Sequence, residues 1–201
     1  MKARHLQAIP AIVNAEQALT ADSRAQLDAW TTQFFPNGAE VIDFNPWLAG
    51  WFVMERPALT AAAPVAAYVP SAVTVLDDAM TDGARRVRLG ITPAEGVLNS
   101  QIIVENPGAL QALVVDGVPY DLAANGAPGI QVVVSSWPDA GITLEATLAG
   151  DEPLRLTVQD RHPGLPSFAE LPITPRPEWM APAPFGDNAD SAIVRSSVTV
   201  E

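Results

Sequence analysis

LRLTVQDRHPGLPSFAELPITPRPEWMAPAPFGDNADSAIVRSSVTV, residues 154–200, decides the fold class. It begins with strict alternation: Leu154, Leu156 and Val158 point one way, and Arg155, Thr157 and Gln159 the other. It ends with a second β-period run, 192–200. Two such runs joined by a long crossing predict an all-β domain. The crossing holds Pro163, Pro166, Pro172, Pro175, Pro177, Pro182 and Pro184, so it is neither helix interior nor central strand. Spaced among the prolines are Leu165, Phe168, Leu171, Ile173, Trp179, Met180 and Phe185, side chains that a disordered linker lacks. The expectation is an ordered strap over 161–186, lying on the body of the domain with Trp179 and Phe185 as anchors.

Working outward, β signals recur at 73–76, 85–91, 99–105, 112–115, 118–122, 130–135 and 142–148. The separators carry turn chemistry, including Thr81-Asp82-Gly83, Asn106-Pro107-Gly108, Asn125-Gly126 and Gly150-Asp151. Asp116-Gly117, set between Leu113-Val114-Val115 and Val118, predicts a two-residue hairpin, because a type I′ turn needs positive φ at both central positions. About nine strands at this spacing predict an antiparallel two-sheet β-sandwich over 71–201. Before it come a tail (1–21) and a segment at 22–70. That segment opens on a helix at 22–35, capped by Asp22 or Ser23 and carrying Leu27, Trp30 and Phe34 at helical spacing.

With 201 residues the chain can build one sizeable core, and its net charge of -12 argues against nucleic acid or an anionic membrane surface as partner. Arg85-Arg86-Arg88 is the one basic group and is expected on an exposed strand face. There is no cysteine, which excludes disulfides and thiolate metal sites. The uncharged run 57–76 is broken by Pro57, Pro64 and Pro70 and is not expected to span a bilayer. The apolar stretch 6–13 is short and interrupted by Gln7 and Pro10, which disfavours a cleavable signal. Phe44, Trp47, Trp51 and Phe52 are expected to cover one end of the β core. Exposed, they would form an aromatic platform for a ligand.

Catalytic constellations are mostly eliminated. The two histidines, His5 and His162, lie in no spaced ligand motif, so no zinc site and no cofactor is expected within the chain. Asp160, His162 and Ser167 are close in sequence, but no G-x-S-x-G elbow accompanies them. Asp77-Asp78 and Asp151-Glu152 read as solvated acids at turns. No glycine loop matches a phosphate cradle.

Several segments carry a resemblance: LDAWTTQFF (27–35), FNPWLAGWFV (44–53), VTVLDD (73–78), ALVVDGVPY (112–120), and the pair LRLTVQDRHPGLP (154–166) and RPEWMAPAPFGDNADSAIVRSSVTV (176–200). The Val158-x-Asp160 step, Gly164-Leu165-Pro166, Arg176-Pro177, Met180, the Pro182-Ala183-Pro184-Phe185 run and Ser196-Ser197 follow one another in the same order. Over about 20–200 the chain resembles the C-terminal region of multi-pass membrane zinc aminopeptidases of peptidase family 28, the group of the vacuolar membrane protease and the endoplasmic reticulum metallopeptidase. The resemblance implies a non-catalytic accessory domain on the extracytoplasmic side, periplasmic or luminal. Its expected partner is the peptidase domain of the same polypeptide, on which it packs or to which it restricts access. The family's zinc belongs to that peptidase domain, and none of its ligands maps onto this chain. Asp160, Trp179, Phe185, Trp47 and Trp51 are the candidate structural or interaction anchors. The alternative is a sandwich that binds glycan or peptide through Trp47, Trp51 or Trp137.

Overall fold

The structure, a computed structural model, describes residues 7–8, 12–14, 29–43, 57–61, 68–122, 130–165, 172–180 and 191–201. In chain order its elements are β1 (Gln7–Ala8), β2 (Ile12–Asn14), α1 (Ala29–Thr32), β3 (Glu40–Asp43), β4 (Pro57–Thr60), β5 (Ala72–Thr81), β6 (Ala84–Thr92) and β7 (Asn99–Val104). There follow β8 (Leu110–Val115), β9 (Val118–Pro119), β10 (Ile130–Val134), β11 (Ile142–Ala149), β12 (Leu154–Pro163) and β13 (Ser191–Val200). The chain divides into two compact units. The first comprises Met1–Gln7, Tyr68–His162 and Ile193–Glu201, and the second Ala8–Ala67 and Pro163–Ala192.

The first unit is an all-β sandwich. One sheet has the order β1-β13-β12-β7-β10 and the other β5-β6-β11-β8-β9. Alternation supplies its core: on β6, Val87, Leu89 and Ile91 are buried while Arg86 and Arg88 are exposed. β11 pairs antiparallel with β6, Leu144 opposite Leu89, and turns Ile142, Leu144, Ala146 and Leu148 to the same interior. Ile102 and Val104 of β7, Val132 of β10, and Leu154, Leu156 and Val158 of β12 fill it from the other sheet. Each buried Val, Leu or Ile among them contributes about 1.5 to 3 kcal/mol of transfer free energy. The summed apolar term therefore outweighs any single polar contact and holds the sheets together.

Turn chemistry sets the registers. Asp116 and Gly117 have φ of 48° and 78°, and Val115 pairs with Val118 across them, the two-residue hairpin that the sequence predicts. Asp82 and Gly83 repeat the device at φ 52° and 79°, joining Thr81 of β5 to Ala84 of β6.

Two expectations for this unit are corrected. Asp77-Asp78 is not a turn: β5 runs on through it to Thr81, with a register shift between Val75 and Asp77. β5 lies at a sheet edge and is exposed along most of its length, so no apolar alternation marks its second half. A bulge and two acids on an edge strand also oppose edge-to-edge association. The Arg85-Arg86-Arg88 group is not one exposed face either. Arg85 shares strand parity with Val87 and is only 6% exposed.

The second unit contains a three-stranded antiparallel sheet, β2-β4-β3, where a tail (1–21) and a segment at 22–70 with no strands were expected. These strands are three or four residues long, too short for periodicity to register. The described helix is Ala29–Thr32 rather than a helix reaching residue 35, and 22–28 lie outside the described residues. Backbone bonds from Phe34 N to Thr31 O and from Phe35 N to Thr32 O tighten the chain into turns ahead of Pro36. Phe34 and Phe35 form a small buried cluster with Trp30, Ala39, Ala61, Leu165 and Ile173.

Of the strap, 163–165 and 172–180 are described and group with Ala8–Ala67 instead of with the sandwich. Its fastening is also different from that expected. Thr174 donates from N and Oγ1 to Gln33 Oε1 at 2.8 and 3.0 Å, and Trp30 Nε1 donates to Thr174 O at 2.9 Å. The Arg176 guanidinium stacks 4.2 Å from the centroid of the Trp30 ring. Trp179 is not a buried anchor, because it is 80% exposed. Phe185 lies outside the described residues.

Candidate functional site

The largest concentration of buried polar groups among the described residues lies near the end of β12. Strand parity carries Asp160 and His162 onto the face of Leu154, Leu156 and Val158, so a carboxyl and an imidazole follow three core positions inward. Register does the rest. Asp160 stands opposite Ser100 of β7, and Ser100 Oγ donates to Asp160 Oδ1 at 2.6 Å. From the residue preceding β5, Ser71 donates its backbone N–H to Asp160 Oδ2 at 2.6 Å and its Oγ to Oδ1 at 2.8 Å. Trp137 Nε1 donates to Ser100 Oγ at 3.1 Å and closes the network. Asp160 is fully buried, with Ser100 1% and Ser71 5% exposed.

His162 lies beside this network without joining its hydrogen bonds. Its ring meets that of Tyr68 at 4.6 Å between centroids, tilted 36°. Its Nε2 is buried and has no hydrogen-bond partner among the described residues. Burial lowers the imidazole pKa below its ordinary value, with the Asp160 charge opposing in part. Burial likewise raises the Tyr68 phenol, so it stays neutral.

This chemistry is structural. A nucleophilic serine needs a base that accepts its proton, whereas Ser71 and Ser100 both donate to a carboxylate and neither pairs with His162. Every serine and carboxyl of the network is shielded from solvent, which leaves no place for a substrate. Ser167 lies outside the described residues. No group of three metal-ligating side chains converges among the described residues, and Asp160 already accepts hydrogen bonds on both oxygens.

A second polar cluster lies at the other end of the β5–β6 pair. Arg85 Nε and an Nη donate to Asp78 at 2.8 and 2.6 Å, a paired fork. The same guanidinium reaches Glu152 O at 3.2 Å, Val200 O at 3.4 Å and Glu201 O. The hydrogen bonds to Arg85 hold the Asp78 carboxyl below its ordinary pKa. Asp160 thus ties the start of β5 to β7 and β12, and Arg85 ties β6 to the end of β13. Each is a polar clasp from one sheet to the other.

Of the anchors expected from sequence, Asp160 is central to one clasp and Trp179 stands apart in solvent, while Trp47 and Trp51 lie outside the described residues. Trp137 is half-buried, with its indole N–H bonded to Ser100 Oγ. Ser71, Ser100, Tyr68, Arg85 and Asp78 were not foreseen. Parity with Val87 was the available signal for Arg85, whereas Ser71 and Ser100 are found only once strand register is known. No helix among the described residues is long and apolar enough to cross a membrane. No protein-family model, curated protein or solved structure matches the chain.

Proposed function

We propose that this chain is a non-catalytic accessory domain of a membrane-bound zinc aminopeptidase, packing on or restricting access to the peptidase domain of the same polypeptide. The reading rests on the ordered run of segments over 154–200 that resembles peptidase family 28. The exposure of Trp179 is the observation that carries it. The strap around Trp179 is held by its neighbours: Ile173 packs in the Phe34–Phe35 cluster, Thr174 is bonded to Gln33 and Trp30, and Arg176 stacks on Trp30. Trp179 itself sits on the turn closed by Met180 N to Pro177 O at 2.9 Å, 80% exposed. Tryptophan is among the side chains enriched at the energetic centres of protein interfaces.

Zinc, substrate and the extracytoplasmic location belong in this proposal to the parent enzyme. The test begins with the coding sequence upstream: an in-frame zinc peptidase with membrane helices is expected. The purified chain should then bind that peptidase domain, and Trp179→Ala should weaken binding at least about tenfold. Absence of an in-frame peptidase overturns the proposal. Glycan or peptide binding that is lost in Trp179→Ala would establish the ligand-binding reading in its place.

A further inference from the structure

The chain enters the sandwich unit at Tyr68 and leaves it at His162, and these two residues are the ones whose rings touch. Three and two residues inside that contact, Ser71 and Asp160 are joined by two hydrogen bonds. Ring contact and hydrogen bonds together hold the incoming and outgoing segments side by side. We propose that the Tyr68–His162 contact is a pH-operated clasp, closed while His162 is neutral and opened by its protonation, which frees the start of β5 at Ser71.

The surroundings of His162 define the switch. Tyr68 contributes a ring and a neutral phenol. Gly96, in the connection between β6 and β7, brings only backbone, and a Cβ there would lie 3.7 Å from His162 Nδ1. Glu95 beside it is exposed. Arg161 alternates to the opposite face of β12. Asp160 is the charged neighbour on the same face, and its oxygens already accept from Ser71 and Ser100.

A proton added to His162 therefore places a cation where Nε2 has no acceptor among the described residues. The Tyr68 ring face can return part of the cost through cation–π attraction. Desolvation is the larger effect, as the lowered pKa records. Two relaxations remain, and both open the clasp. The imidazolium moves out toward water and leaves Tyr68, or it draws the Asp160 carboxylate to itself and away from the Ser71 N–H. Because the folded pKa is depressed, the contribution is complete above the ordinary value of 6.5 and is lost as pH falls through the folded value.

The test uses the whole chain. With His5→Gln leaving one histidine, the His162 ring should titrate below 6.5 by NMR. Backbone hydrogen exchange, corrected for intrinsic rates, should report the opening. Protection of the Ser71 amide should fall by up to about tenfold per pH unit below 6.5, while the Leu89 amide in the core stays unchanged. His162→Phe should flatten the Ser71 response, and His162→Gln serves the same purpose if the phenylalanine variant does not fold. A ring that titrates at or above 6.5 overturns the proposal, as does a Ser71 response that persists in the neutral variants. Loss of protection at Ser71 and Leu89 together would mean global unfolding and also overturns it.

Discussion

Asp160 and Arg85 carry charge into the buried β core, and each is tolerated because its hydrogen-bonding capacity is matched by nearby groups. The match at Asp160 is asymmetric in consequence. Removing the carboxylate leaves three buried donors, Ser71 N–H, Ser71 Oγ and Ser100 Oγ, facing a void. Asp160→Ala should therefore cost on the order of 3 to 5 kcal/mol in denaturant unfolding, more than loss of one ordinary hydrogen bond. Ser100→Ala removes one donor and frees the Trp137 indole, and should cost about 1 to 2 kcal/mol. Combined, the two substitutions should be strongly non-additive, since the donor lost in one is orphaned in the other. Strand parity in the sequence places Asp160 with Leu156 and Val158 on one side of β12. Its partners are legible only through register, because Ser100 lies 60 positions away and Ser71 lies 89.

Elements were legible in proportion to their length and alternation. β6 and β11 alternate cleanly, β12 alternates in sequence from Leu154 to Gln159, and Asp-Gly turns fix the β5–β6 and β8–β9 hairpins, so the sandwich follows from pattern and turn chemistry. β2, β3 and β4 are too short to show a period, and β5 is exposed on both faces beyond Val73, so none of these is written in apolar alternation. Size and hydrophobicity favour burial of Trp179, yet it sits on the turn closed by Met180 N to Pro177 O and is exposed. Trp179→Ala should accordingly change unfolding stability by no more than about 0.5 kcal/mol. Phe34→Ala, in the 4%-exposed cluster that receives Ile173, should cost about 3 kcal/mol or more. Limited proteolysis should then cut the strap faster in Phe34→Ala than in Trp179→Ala. A separate element-level constraint sits at Gly141, where φ is +75° and a Cβ would come within 2.2 Å of the Ile91 carbonyl oxygen. Since that atom is backbone in β6, Gly141→Ala should cost more than Gly117→Ala, where a Cβ meets open space and only the positive φ penalises. Thermal midpoints of the two variants would order them.

At the scale of the sandwich, the clasps sit at opposite ends of β5 and β6: Ser71 precedes Ala72, which pairs with Thr92, while Arg85 pairs with Met80 near the Asp82-Gly83 turn. The apolar interior between them is indifferent to pH, so any pH response of this unit's core should arise at its ends. The two ends respond in different windows. The His162 end weakens first, as pH falls below 6.5. Asp78 has a folded pKa depressed below the ordinary 3.8 by its fork with Arg85, so its contribution is complete above that value and is lost only as pH falls through the lower folded one. Between these windows the Ser71 end should be loosened while the Arg85 end remains closed. Asp78→Asn removes the charge but keeps a hydrogen-bond acceptor for Arg85. With the Asp78 side chain 32% exposed, solvent screens the pair, and the variant should cost about 1 to 2 kcal/mol near neutral pH. The variant should also lose the Asp78-linked part of the acid limb of stability, leaving the response near neutrality intact. Hydrogen exchange at Val200, whose carbonyl is bound by Arg85, gives the local readout. In the parent protein its protection should hold from neutrality to about pH 4 and collapse below, whereas in Asp78→Asn it should be lower and nearly level across the same range. If Val200 instead loosens in the parent with the Ser71 amide near pH 6, the two ends are one cooperative unit, and the assignment of separate pH windows fails.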